Sequence, residues 1–294
     1  MNNMVLFQDE VALGELEVFA TGLDHPEGIA VTPAGDLFVG GEAGQIYRVA
    51  NDGTVAQTAS TNGFNLGISA DGYGRLYVCD SSAGVVWRVD PRTGHREVFT
   101  SGLPDKPARV PNWGCFDEYA NYYLTDSGDW GASNGLIWVV RPRGRTEVWT
   151  EASAAFPNGC AVAPDGSRLF VAESYPSALV EIRIMPDGSA GPRRVLQQLG
   201  TVVPDGVAVA DDGSLVVACY RPDAILLWNV ADGLRLLACD PRGTLLSAPT
   251  NVVFTGDDLG TVVVPNLGRW HLTRGRLGVR GTPLFYPSDE QLQL

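Results

Sequence analysis

Four oxygen-bearing side chains stand at matched places in this chain, in an arrangement suited to a hard cation. Pro26-Glu27-Gly28, Pro111-Asn112-Trp113, Pro157-Asn158-Gly159 and Pro204-Asp205-Gly206 each precede a short apolar run, and Pro249-Thr250-Asn251 occupies a fifth such place. Glu27, Asn112, Asn158 and Asp205 would offer two carboxylates and two amide carbonyls. Brought together, the carboxylates would repel one another in a low-dielectric setting unless a cation lay between them. Calcium accepts six to eight oxygens at ~2.3–2.6 Å, so four protein ligands would leave room for water and substrate. An all-oxygen set disfavours copper and zinc. Calcium is therefore the foremost candidate, with Mg²⁺, Mn²⁺, Fe²⁺ and Zn²⁺ as alternatives.

Turn chemistry offers a competing explanation. Pro164-Asp165-Gly166 and Pro186-Asp187-Gly188 have the same local pattern and read as plain turns between strands. The four anchors differ from them in regular placement. With Leu66 and Thr250 they define positions 27, 66, 112, 158, 205 and 250, separated by 39, 46, 46, 47 and 45 residues.

The elements behind the anchors repeat with the same period. The first copy runs Gly28-Ile29-Ala30-Val31, Leu37-Phe38-Val39 and Gln45-Ile46-Tyr47-Arg48-Val49, then a weaker outer strand; the others follow the same plan. Short strands repeating at this period predict an all-β fold, a six-bladed β-propeller of four-stranded antiparallel blades. One domain is expected over 1–294, with blades starting near 27, 66, 112, 158, 205 and 250. Tyr47, Trp87, Trp138 and Trp228 recur in the third strands, where adjacent blades pack. Glu15 to Ala20 reads as an outer strand that pairs with the last blade and closes the ring, with a segment from the other end of the chain as the alternative source of that strand. The first eight residues and the tail after Tyr286 are expected to be loosely held.

The bulk properties fit a small-molecule protein. A formal charge of −13 argues against nucleic acid or an anionic membrane as partner. No apolar run approaches the ~20 residues of a membrane helix, and the amino terminus lacks the features of a signal peptide. The five cysteines form no Cys-x-x-Cys pair and point to a reducing, cytoplasmic setting. Oligomeric state is not legible.

His25-Pro-Glu-Gly-Ile-Ala-Val31, the stretch from Phe156-Pro-Asn-Gly-Cys-Ala-Val to Val-Ala-Glu-Ser174, and Val203-Pro-Asp-Gly-Val-Ala-Val209 resemble the gluconolactonase/regucalcin (senescence-marker-protein-like) family of calcium-dependent propellers. The resemblance spans roughly Leu16 to Leu284. It implies a catalytic divalent ion held by Glu27, Asn158 and Asp205, with Asn112 as a fourth ligand or substrate contact. Relatives that hydrolyse sugar lactones often carry Arg-x-Asn-Asp at the third anchor, whereas this chain has Arg109-Val-Pro-Asn112-Trp113. That departure points to a more apolar ligand.

The expected function is metal-dependent hydrolysis of a lactone. The ion would act as Lewis acid and Asp205 as general base or nucleophile. A phosphotriesterase-like or other esterase activity at the same site, or a non-catalytic calcium- or partner-binding propeller, are the alternatives. Arg109, Trp113, His25 and Trp130 are the candidate substrate contacts. His271 is expected to pack inside the sixth blade, and Asp126, in Thr-Asp-Ser-Gly, to make a turn.

Overall fold

Six four-stranded antiparallel sheets stand in sequence order around a central channel in the computed structural model, which describes residues 9–293. In the first five, four consecutive strands run from the channel outward. The innermost are Ile29–Val31, Asn65–Ala70, Pro111–Phe116, Pro157–Val162 and Val203–Val209. The sixth sheet takes Val253–Thr255, Thr261–Pro265 and His271–Gly275 from the far end of the chain. Its outer strand is Leu16–Thr21, paired antiparallel with His271–Gly275 in the register Glu17↔Arg274. The ring thus closes by joining the two ends of the sequence, as the Glu15 to Ala20 stretch foretold, and no sheet edge is left open at the seam.

The strands hold because each sheet buries both faces against its neighbours. Val39, Ile46, Tyr77, Trp138 and Val216 are almost wholly shielded from solvent, and the buried side chains form clusters between successive blades. The recurring tryptophans also answer to buried carboxylates: Trp87 Nε1 donates to Asp80 at 3.1 Å and Trp138 Nε1 to Asp126 at 3.2 Å. Asp126 is consequently no turn residue. It ends the strand Tyr122–Asp126, is buried, and accepts the backbone N–H groups of Arg109 and Val110 at 2.9 and 2.8 Å. Pro164-Asp165-Gly166 and Pro186-Asp187-Gly188 are ordinary turns between strands. His271 is buried in the sixth blade, with Nε2 3.1 Å from the Leu245 carbonyl.

The tail departs from expectation. After Tyr286 the chain is tied down: Gly72 N–H donates to Pro287 O at 2.9 Å, and Ser288 caps the short helix Asp289–Leu292 through a reciprocal bond with Gln291. Leu292 is buried among Tyr77, Tyr122 and Trp138, and Arg75 reaches Asp289. Upstream, Tyr286 Oη donates to Val31 O at 2.9 Å and Thr282 N–H to Val209 O at 3.2 Å. The terminal segment therefore laces blades five, one and two together across one face. The first eight residues lie outside the described residues. No described helix is long and apolar enough to cross a membrane.

Candidate functional site

The anchor positions follow one another around the ring in close backbone approach, except after Asn112, where Trp113 takes the place of the glycine. A methyl added at Gly28 would lie 2.0 Å from Leu66 O, one at Gly67 2.6 Å from Asn112 O, one at Gly159 2.5 Å from Asp205 O, and one at Gly206 2.7 Å from Thr250 O. Between the third and fourth blades Thr125 Oγ1 donates to Asn158 O at 2.8 Å, and Thr250 Oγ1 donates to Glu27 O at 2.9 Å, which completes the circuit. Glycine after an anchor is thus a requirement of close backbone approach. Gly28→Ala is expected to cost on the order of 1–3 kcal/mol or more, since backbone cannot yield as a side-chain tip does. Thermal melting checks it, and an unchanged midpoint would contradict the contact.

Three of the four proposed ligands sit within the inner strands, whereas sequence reasoning set them ahead of those strands. Asn112, Asn158 and Asp205 lie where pairing with the second strand slips: between Pro111 and Trp113, Pro157 and Cys160, and Pro204 and Val207. A bulge of this kind re-aims one side chain out of the regular alternation. His25, Phe156 and Ala248, each just before an anchor proline, have φ of 41°, 53° and 46°. Left-handed backbone at such residues is costly, at about 1–3 kcal/mol each, and needs surrounding structure to hold it.

Glu27, Asn112, Asn158 and Asp205 are all buried. Burial pushes the Glu27 carboxyl well above the usual carboxylate range, and the Asp205 charge raises it further. Burial likewise raises Asp205, to about 8, against the easing effect of the Asn158 amide. The two acids therefore feel one another across the ring, and Asn158 adjoins Asp205. Glu27 Oε2 and Asn112 Oδ1 are buried without a hydrogen-bond partner. Orphaned acceptors of this kind are uncommon and costly in a folded protein. Two buried carboxylates, a partnerless oxygen on Glu27 and another on the Asn112 amide, and no cationic side chain among the anchors suit a hard cation, so the donor set fits a divalent ion. Among the described residues no group of three or more His, Cys, Asp or Glu offers a metal site; this set has two acids and two amides.

The candidate substrate contacts divide. Trp130 is exposed and packs edge-on against Phe156 and tilted against Tyr175, with ring centroids 4.8 and 5.5 Å away. Arg109 is engaged with Asp129 at 2.6 Å. His25 Nδ1 lies 3.3 Å from Asp24 and 3.2 Å from Glu42, with its ring against Trp270. Trp113 packs over Gly67 of the preceding blade and also lines the channel.

A cavity of about 770 Å³ lies elsewhere. It is lined by the inner-strand residues that follow the anchors, among them Ile29, Ile68, Cys160, Val207 and Val252, and by none of the four proposed ligands. That channel is mainly apolar and runs toward the face laced by the terminal segment. Chemistry that needs charge belongs at the anchors, where the carboxylates are.

Ser127 and Ser174 belong to the site without any local motif that marks them. Asn112 Nδ2 donates to Ser127 Oγ at 2.9 Å and Asn158 Nδ2 to Ser174 Oγ at 3.2 Å. The available signal was their equal placement, just after or at the end of a second strand, 15 and 16 residues beyond their asparagines.

A family profile described as SMP-30/Gluconolactonase/LRE-like region matches residues 26–266. The gluconolactonase of Zymomonas mobilis is 30% identical over 112 residues, 34% of this chain and 31% of that protein, so the chain spans about a third of that relative's length. A gluconolactonase structure from Xanthomonas campestris superposes with a TM-score of 0.76 at 18% identity, covering 94% of this chain and 93% of that one. A calcium-binding protein, regucalcin, from Agrobacterium tumefaciens gives 0.74 at 15% identity over 96% and 97% of the two chains. At such identities the structural likeness is one of fold.

Proposed function

Because the chain belongs to the SMP-30/gluconolactonase/LRE-like family, we propose that it hydrolyses a cyclic ester at a divalent-metal site made by Glu27, Asn112, Asn158 and Asp205. A cation bound there supplies Lewis-acid polarisation of the ester carbonyl and charge balance for the two acids. The reading rests on one observation above all: two buried acids with raised pKa values share the ring with partnerless carboxylate and amide oxygens.

The chain's own residues then divide the work. Glu27 contributes an anionic ligand, and the two asparagines contribute neutral oxygens that bind without adding repulsion. Asp205, the other acid of the ring, takes the proton of the attacking water as general base, in the ionised form that a bound cation favours. The Trp130, Phe156 and Tyr175 cluster, joined to the Asn158 anchor through Phe156-Pro157, would offer an apolar wall to the substrate's non-reacting part. With Arg109 paired to Asp129 and Trp113 beside Asn112, apolar lactones are favoured over sugar-acid lactones.

A pH-indicator screen of purified protein against aliphatic, aromatic and sugar lactones, activated esters and phosphotriesters, with and without Ca²⁺, tests this. Turnover of a lactone that disappears with chelator and returns with one metal is expected. Turnover confined to phosphotriesters would move the substrate class, and none with any metal would leave a binding protein.

A further inference from the structure

The orientation of both asparagine amides follows from how two buried serines use their single protons. Ser127 Oγ donates to Pro157 O at 2.7 Å, and Ser174 Oγ donates to Pro204 O at 2.7 Å. Both serines are fully buried. A hydroxyl has one proton, so once that proton is committed to a carbonyl the oxygen can only accept. The partner that donates to it must be the NH₂ end of an amide. Asn112 and Asn158 therefore present Nδ2 to their serines, and each carbonyl oxygen is turned away. In Asn112 that oxygen is the buried, partnerless Oδ1.

We propose that Ser127 and Ser174 are positioning residues that fix the asparagine carbonyls as ligand oxygens and tie each to the next blade's anchor. The inference rests on the metal-site reading above. A chain of contacts runs from Asn112 through Ser127 to Pro157, which precedes Asn158, and from Asn158 through Ser174 to Pro204, which precedes Asp205. Three of the four proposed ligands are thereby held in one register by two hydroxyls. Blade two provides an internal contrast. There Ser81 follows the second strand at the equivalent place, but the anchor is Leu66, which has no amide to orient. Ser81 Oγ turns back to Phe64 O of its own blade at 3.3 Å instead of bridging to the next.

Groups that orient metal ligands commonly change affinity by about 10–100-fold when removed. Calorimetric titration of Ca²⁺ into chelator-treated protein is the test, with the metal-free melting temperature measured alongside. Ser127→Ala and Ser174→Ala are each expected to weaken Ca²⁺ by about 10-fold or more, while Ser81→Ala leaves affinity unchanged. Ser127→Thr and Ser174→Thr, which keep the hydroxyl, are expected to recover most of the loss. Alanine variants that bind within twofold of the parent, or threonine variants no better than alanine, would overturn the inference. If an alanine variant fails to fold, the threonine variant at that site decides: near-parental affinity supports the role and a collapse of affinity refutes it. A parent protein that binds neither Ca²⁺ nor Mg²⁺ nor Mn²⁺ would remove the underlying site reading first, an outcome separate from a bound metal indifferent to the serines.

Discussion

Calcium added to chelator-treated protein is expected to raise its melting temperature, and by more at pH 8.5 than at pH 6. The cause lies in Glu27 and Asp205, whose carboxyls burial pushes upward, Asp205 to about 8. In the folded, metal-free chain they keep protons that their unfolded counterparts have already released. The stability these two groups contribute to that form is thus fully present below the ordinary carboxylate range and is lost as pH rises toward about 8. A bound dication removes the penalty, most fully where both acids are ionised. At a calcium concentration near a hundred times the dissociation constant, the stabilisation is about 2.7 kcal/mol. For a chain of this size that corresponds to roughly 4–5 °C. Glu27→Gln separates charge repulsion from simple loss of packing. Without metal at pH 8.5 this variant is expected to melt above the parent, because an amide carries no penalty of ionisation where the buried carboxyl does, yet to lose most of its response to calcium. A variant that melts below the parent, or that keeps the full calcium shift, would defeat the account.

The ring was legible because it repeats. Anchors at 27, 112, 158 and 205 could be aligned from Pro-x-Gly-like stretches, and the closing strand Leu16–Thr21 showed itself as an outer strand with no blade of its own. What stayed hidden depends on partners across the sheet. The slip that turns Asn112 out of its strand exists only relative to Thr125 and Asp126 opposite it, which no local pattern records. Ser127 lies inside Thr-Asp-Ser-Gly, which reads as a turn until Asp126 is seen accepting two backbone N–H groups from the loop before Pro111. The tail carried a usable sign, Ser288 followed by Gln291, a capping box at a helix start. Its helix is four residues long, too short for periodicity to support, and what holds it is packing of Leu292 against blades two and three.

Asp205→Asn is expected to lower kcat on the preferred lactone at least ~100-fold, since positioned general bases contribute about 10²–10⁴-fold. The substitution is nearly isosteric, so it removes the proton acceptor and one ligand charge while leaving volume intact. The fall should exceed that of Asn112→Ala, which deletes a neutral oxygen and no base. Retention of more than a tenth of the parental rate would remove Asp205 from the chemistry. Loss of fold cannot imitate the result, because Asp205 shares the burial penalty of Glu27. Its neutral replacement should make the metal-free protein melt higher at pH 8.5, so that activity falls as stability rises. The same variant separates base from nucleophile when set beside rapid-quench mass spectrometry of the parent. A base leaves the parent's mass unchanged during turnover, whereas attack by the carboxylate itself would add the ring-opened acyl group to Asp205.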